Sequence, residues 1–524
     1  MPFSFLFKNK FPISLEEYFL WLSFYHFGNV VFRNNYFSKG NFFMQQINLI
    51  EKNVSTGLFQ FIFSFSLVEG SKQNFITFFE NQEFQAFQLN QLENENAFYG
   101  NFRVSHRDME KYFFPNTNNI LFPQASENTG FQRYSKSLNL KAILTNNHIT
   151  IPFRLHSIDL TICPFELGFI TLRTEISDLL FSQAIEYASS FQSIKEAEIE
   201  LLGEVYPRIN DFIFEALLPG LMSFLDMKSL RGVFFQEEPF AGNEQIYVQS
   251  LLSFNENQQI ELADVYRSGF LNGLDADSKP FINSKNLKYI QQYVQGNSDD
   301  CWAPNRYYFF GTSCFTCISN ESKMTTDQLA SQFYGEFYYS LLVNLYHKSV
   351  FLKIARDYSK LKIDTDSKEI RKLIYLINSF TSNYFYLSDF GLTREQKLYD
   401  LFRKTFNIDL LYNNTKETLI TLVKYDENTV TKKDSIILLI LTLYTVVCGI
   451  FSMNLFTNDL KGKIHWSHLK DYNPFENFAI FIVFSGLLVA TILLILNLFQ
   501  SYSNWKNRKK WVKQIVFSSK ISKK

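Results

Sequence analysis

The chain has 524 residues, with 51 Lys or Arg against 51 Asp or Glu, so its formal net charge is zero. A balanced charge argues against nucleic acid as the main partner, and the length allows two or three packed units. Five cysteines are typical of a reduced compartment. The chain contains no P-loop, HExxH or GxSxG motif, so we do not expect an enzyme.

The first predicted region, residues 1–135, has short aromatic runs between Asn-rich stretches, and its fold is unclear. No convincing signal peptide precedes it, so we expect it in the cytosol. Residues 136–322 are predicted to form an α+β domain. Polar and apolar residues alternate at 158–163 and 168–175, which predicts two strands of a hairpin joined by a turn at 164–167. A helix should follow at 176–193.

Further strands of this domain are predicted at 306–310 and 313–318. The second of these carries Cys314 and Cys317, whose spacing is that of a redox or zinc half-site. No second pair of ligands follows nearby. Ordinary buried thiols are therefore the favoured interpretation.

Residues 323–434 change to a pattern of long helices, which we interpret as a stalk. Thr326 and Asp327 offer an N-cap for a helix through 328–361, and a second helix is expected at about 368–387. A third should begin at Thr393 and run on without a break, because no Pro or Gly occurs between 394 and 436. Such a helix would be roughly 90 Å long, which favours packing in a symmetric bundle.

Two uncharged apolar runs, 435–456 and 478–499, end the chain, and each has the ~20 residues that cross a bilayer. They are joined by an outer loop, 457–477, and followed by a basic tail, 500–524. The positive-inside rule then places both termini in the cytoplasm. The predicted fold is thus an α+β cytosolic domain, a helical stalk and a two-helix transmembrane hairpin, located as a multi-pass protein in the plasma or inner cell membrane.

The first run carries Gly449, Ser452, Met453 and Asn454, and with the stalk helix and the basic tail it resembles the CorA family of divalent-metal channels. The resemblance implies a homopentamer whose first span lines the pore, with Ser452, Met453 and Asn454 at its mouth and Gly449 supporting the motif. It also implies that Asn454 meets a hydrated ion. The pore-lining positions that it implies are Asn428, Thr431, Asp434, Thr442 and Thr445, of which Asp434 could also meet metal.

Each of these positions has a second interpretation. Thr442 and Thr445 could bond a carbonyl one turn back, and Asn428 or Thr431 could be solvated stalk residues. Asp434 could belong to a charged boundary cluster with its lysine neighbours. Ser452 departs from the family, which has Gly there, and so removes backbone freedom beside Asn454.

The expected function is a channel that takes up Mg²⁺ and is gated by the cytosolic domain, because neutral oxygen ligands suit a hydrated Mg²⁺. The ion is expected as transported and regulatory, with no tightly bound cofactor. One alternative is a transporter of Zn²⁺ or another transition metal, for which His465 and His468 could offer imidazoles. Another is a membrane-anchored scaffold or regulator that transports nothing. The expected partners are divalent ions, the lipid bilayer and further copies of the chain, and not nucleic acid.

Overall fold

A mixed β-sheet with helices against both faces organises the protein. The computed structural model describes residues 47 and 49–454 except 113–114, 124–129, 147–148, 194–196, 227–245, 300–304, 362–365 and 386–392, together with nine positions between 474 and 495. The strands are β1 Asn53–Ser66, β2 Gln85–Ala86, β3 Gln132–Thr145, β4 Thr150–Cys163, β5 Leu167–Leu180, β6 Glu198–Leu201, β7 Glu204–Tyr206, β8 Tyr247–Phe254, β9 Ser298–Asp299, β10 Arg306–Phe310 and β11 Cys314–Ser319.

The helices differ greatly in length, from one turn to more than ten. The α-helices are α1 Lys72–Glu80, α2 Asn94–Ala97, α3 His106–Tyr112, α4 Pro115–Leu121, α5 Phe181–Gln192, α6 Ile209–Asp211, α7 Leu262–Phe270, α8 Leu287–Asn297, α9 Lys323–Gln332, α10 Tyr338–Ser359, α11 Ser367–Phe380, α12 Thr393–Thr405 and α13 Ile408–Asn454. Wider π-helical turns occur at Phe212–Leu217, Phe333–Phe337 and Thr381–Phe385, and a 3₁₀ turn at Leu221–Phe224.

The strands lie in the order β7-β6-β3-β4-β5-β1-β8-β11-β10-β9, with β2 paired to β3. All pairs are antiparallel except β8 with β11. The predicted hairpin is present as β4 and β5, which pair from Cys163 opposite Leu167 onwards. The sheet extends beyond the predicted domain, because its central strand β1 comes from residues 1–135, for which no fold was predicted.

The residues of β1 alternate between the two cores. Phe59, Phe61, Phe63 and Phe65 point to the first face of the sheet, where α1, α5, α7 and α8 pack. Leu58 and Ile62 point to the second face, which α9 to α13 cover. A strand buried on both sides reads as a nearly continuous apolar run, which is why the sequence pattern did not identify it.

The predicted fold class was wrong in its membrane part. Among the residues that the structure describes, no helix is both long enough and apolar enough to cross a bilayer. The expected transmembrane hairpin, the multi-pass location in the cell membrane and the description as a membrane channel are overturned with it.

The prediction of one unbroken helix from Thr393 was also wrong. α12 ends at Thr405 and α13 begins at Ile408, and between them Asn407 has a φ of 53°. Asn is one of the few residues that adopt this left-handed conformation readily. The chain therefore turns here although neither Gly nor Pro is present. The prediction of an unbroken helix relied on the absence of these two residues.

Candidate functional site

The candidate site lies on α13, the 47-residue helix that contains the predicted pore residues. Its first half is docked on the body. Ile408, Thr415 and Leu422 are buried against the helical layer, and Asp426 pairs with Arg371 of α11 at 3.0 Å. Beyond this ion pair the helix leaves the body. α13 thus has a docked half and a projecting half.

The projecting half presents large apolar side chains to solvent. We call residues 435–446 the apolar end of α13. Its exposed aliphatic side chains, at 42–67% of their full area, are Ile436, Ile437, Leu438, Leu439, Ile440, Leu441, Leu443 and Val446. Successive residues turn by about 100° around a helix, so six consecutive ones point in all directions. The apolar end therefore needs cover on more than one side.

A second helical segment of the same chain touches the apolar end. The described positions between 474 and 495 are all helical, and Ser485 Oγ lies 2.9 Å from Tyr444 Oη. The second segment is itself apolar and exposed at Phe481 (67%), Leu488 (59%) and Ile495 (62%). Among the described positions, Ser485 places this segment on the Tyr444 side of α13.

All the predicted site residues lie along α13, and the helix ends at Asn454. Thr442 Oγ1 donates to Leu438 O at 2.7 Å, and Thr445 Oγ1 donates to Leu441 O at 3.0 Å and Thr442 O at 2.8 Å. Their hydroxyl protons are thus used within the helix, as the second interpretation of these residues expects. The side chains of the other predicted site residues except Gly449 lie outside the described residues: Asn428, Thr431, Asp434, Ser452, Met453 and Asn454.

Among the described residues, the structure does not bring the two cysteines of the candidate half-site together. The loop with His465 and His468 lies outside the described residues, as does the basic tail. Cys314 and Cys317 are buried thiols on β11 that belong to opposite cores, because residues three apart on a strand point to opposite faces. Within the described ranges, no group of three His, Cys, Asp or Glu residues could hold a metal ion.

A buried polar layer on the second face of the sheet was missed by the sequence analysis. Asp159 on β4 is fully buried and forms ion pairs with two guanidinium groups. Arg133 on β3 has its Nε 2.8 Å from Oδ2 and donates from Nη2 to Oδ1 at 3.5 Å, and Arg173 on β5 donates from Nη1 to Oδ2. Burial by itself would lower the pKa of Arg133, but the Asp159 carboxylate outweighs it and raises that pKa well above its ordinary value. Arg133 thus stays charged inside the core.

The layer continues across β1 and β8 to the helices. Arg173 Nε donates to Gln60 Oε1 at 2.9 Å. The Gln60 and Gln249 amides donate to Phe333 O at 3.4 and 3.1 Å. Phe333 begins a π-helical turn, whose wider spacing frees carbonyls from the helix ladder. The sequence signal for this layer was a polar or charged residue in the middle of each of these strands. A strand position that faces a core is usually apolar, so such a residue needs a buried partner.

Comparison with known proteins adds no relative. No family model, no curated protein and no solved structure matches this chain. The resemblance to the CorA family therefore stays a prediction that rests on the residues quoted for it.

Proposed function

We propose that this protein is a non-enzymatic assembly protein, in which the sheet body holds out α13 and the apolar ends of several copies pack together as a helical bundle. The observation that carries the proposal is the all-round exposure of 436–441. The expected passage of Mg²⁺ stays a prediction from the sequence. It depended on two spanning helices, so the proposed function does not build on it.

The size of the exposed surface supports an interface. The eight aliphatic side chains of the apolar end expose on the order of 700 Å², more than the roughly 300–600 Å² of the largest patch on a typical monomer. It is also close to the ~800 Å² that each partner buries in a stable complex. A surface of this size on a water-soluble monomer would be an aggregation risk, and a closed bundle removes that risk.

The polar groups of the apolar end also suit a dry interface. The Thr442 and Thr445 hydroxyls donate to carbonyls of their own helix, and the Tyr444 hydroxyl bonds Ser485. Packing a second helix here would therefore leave no hydroxyl proton of these residues without an acceptor, which removes the main penalty for burying polar groups. The residues that flank Tyr444 can be desolvated at small cost.

A second copy of the chain is the favoured partner, because the exposed side chains of the apolar end lie on all sides of the helix and must be buried from several directions. One flat partner would hide one side of α13, and the described contact with the second segment lies on the side of Tyr444. A symmetric bundle places neighbours on two sides of each helix with a single self-complementary surface. The pentamer implied by the resemblance is one solution.

The test is the mass of the full-length protein in solution. We expect an oligomer by sedimentation velocity, and we expect Leu438→Glu/Leu439→Glu to dissociate it to monomer because it would bury two carboxylates per copy. Leu202→Glu is the matched control, since Leu202 is 79% exposed on the body. A wild-type monomer at all concentrations would refute the proposal. Flotation of monomers with phosphatidylcholine vesicles, abolished by the double substitution, would replace the second copy with lipid and also refute it.

A further inference from the structure

The described contacts of α13 with its own chain are centred on one side of the helix. Ile408 is buried against the body, and Asp426 pairs with Arg371. Further along, Tyr444 Oη lies 2.9 Å from Ser485 Oγ. Ile408, Asp426 and Tyr444 follow one another at intervals of 18 residues, which make about five whole turns of an α-helix. These three residues therefore point in the same direction.

The opposite side of the helix is exposed. Glu417 and Ser435 lie nine residues, or about two and a half turns, from the residues of the first side, and both are exposed. Leu438, Leu439 and Thr442 follow on the same side of the apolar end and are exposed as well. We call the side that these five residues occupy the exposed side of α13. A neighbouring copy can reach it without displacing a described contact.

Arg403 joins the start of α13 to two other elements. Its Nε and Nη2 donate to Asp409 Oδ1 at 2.9 and 2.6 Å, across the turn at Asn407. The guanidinium group also lies 4.7 Å from the ring centre of Phe385. That ring stacks on Tyr412 of α13, with 4.3 Å between the ring centres. One arginine thus connects α12, α13 and the π-helical turn that ends at Phe385.

A second ion pair holds α13 at the end of its docked half. Arg371 Nε donates to Asp426 Oδ1 at 3.0 Å. The two carboxylates, Asp409 and Asp426, are 17 residues apart, or roughly 26 Å along the helix. The hydrophobic effect is non-directional, so the apolar contacts alone resist sliding and rotation of a helix only weakly. Two ion pairs at this separation restrict both movements.

The length of α13 amplifies any error in its direction. Thr442 lies ~50 Å beyond Asp409 along the helix, so a tilt of ~10° about Asp409 would displace Thr442 by roughly 9 Å. That displacement is as large as the about 8–10 Å between the axes of two packed helices. The apolar ends can therefore meet in register only if each α13 is held within a few degrees.

We infer that Arg371 and Arg403 are positioning residues of the assembly, which hold α13 so that its exposed side faces the α13 of a neighbouring copy. The inference rests on the proposed bundle and adds the side of contact and the residues that set it. Exposed ion pairs contribute little to folding stability. Loss of the Arg371 pair, with side chains 61% and 25% exposed, should therefore affect assembly more than folding.

Sedimentation velocity of the full-length protein tests the positioning role. Arg371→Asp sets two carboxylates against each other and should raise the dissociation constant of the assembly roughly tenfold. Adding Asp426→Arg restores the pair in reverse and should return the constant to within about threefold of the wild type. Lys372→Asp is the matched control on the same helix, because its pair with Glu69 is 58% and 74% exposed and does not involve α13. It should leave the constant unchanged, and both single variants should have the same urea midpoint.

Cross-linking tests the side of contact. Thr442→Cys lies on the exposed side and should be joined to the same position of a neighbouring copy by a short bis-maleimide. Ile437→Cys is the control, since Ile437 is 48% exposed but lies two turns from Tyr444 on the side of the chain's own contacts. Cys301 and Cys448 are replaced by Ser in both proteins. Arg403→Met should lower the cross-linked fraction of the Thr442→Cys protein.

The outcomes separate this inference from the proposed function. A wild-type monomer at all concentrations refutes the bundle and the inference together. An oligomer with equal dissociation constants in the wild type and Arg371→Asp overturns the positioning role alone. An oligomer that cross-links at position 437 and not at 442 overturns the side of contact alone. If Arg403→Met does not fold, Arg371→Asp and its reversal by Asp426→Arg decide.

Discussion

His347 on α10 should make the protein lose stability as the pH falls below about 6.5. The ring is fully buried among aromatic residues, with Phe380 and Phe385 each 5.7 Å away between ring centres. Nε2 lies 2.9 Å from Tyr384 O and donates to it, while Nδ1 has no hydrogen-bond partner among the described residues. Burial lowers the pKa of His347 to about 3; the bond to Tyr384 opposes the shift, and Arg403 adds to it.

The sign and size follow from proton linkage. Between pH 6.5 and about 3 the unfolded chain binds a proton at this position and the folded protein does not, so the free energy of unfolding decreases as the pH falls. The slope approaches about 1.4 kcal/mol per pH unit. From pH 7 to pH 5 this one residue should therefore remove about 2 kcal/mol of stability.

The assay compares the wild type with His347→Gln in urea unfolding at pH 7 and pH 5. Gln keeps an amide donor for Tyr384 O but does not titrate, so the variant should gain about 2 kcal/mol relative to the wild type on acidification. Tyr346→Phe is the control, since it changes a neighbouring buried side chain without removing a group that titrates in this range. The reasoning would be refuted if the free energies of unfolding of the wild type and His347→Gln differed by the same amount at pH 7 and pH 5.

The remaining predictions concern the polar layer, the β4–β5 turn and α13. Asp159→Asn leaves two buried guanidinium groups without a carboxylate and should lower the free energy of unfolding by about 3–5 kcal/mol in urea, whereas Lys279→Ala at an exposed pair should change it by less than about 0.5 kcal/mol. Glu166→Gly should raise the free energy of unfolding by up to ~1 kcal/mol, and with it the Tm, because Glu166 has a φ of 55°. Phe165→Gly should lower the Tm, because Phe165 packs on Phe380 and Tyr384. Gly449→Ala should stabilise α13 by about 1 kcal/mol and leave the oligomer mass unchanged, since a Cβ there meets nothing within 4 Å; a smaller oligomer would show instead that copies approach closely at Gly449.

Local patterns predicted the strands whose faces differ in polarity. β10 has the predicted bounds, and β4 and β5 contain the predicted hairpin strands and extend beyond them. The pattern failed at β1 because apolar residues occupy both of its faces. The strand order could not be predicted, since the pairing of β1 with β5 and β8 joins segments more than 100 residues apart, and no local rule encodes that pairing.

The predicted pore residues illustrate a different limit. The apolar run at 435–456 was predicted to be a transmembrane helix; α13 is helical there through Asn454, but the membrane span was wrong. Composition cannot say what covers an apolar helix, because lipid and a second helix offer the same apolar environment. The body fixes where the apolar end begins. Asp426 is tied to Arg371 of α11, so the apolar end starts about 14 Å further along the helix, where a neighbouring helix can pack against it.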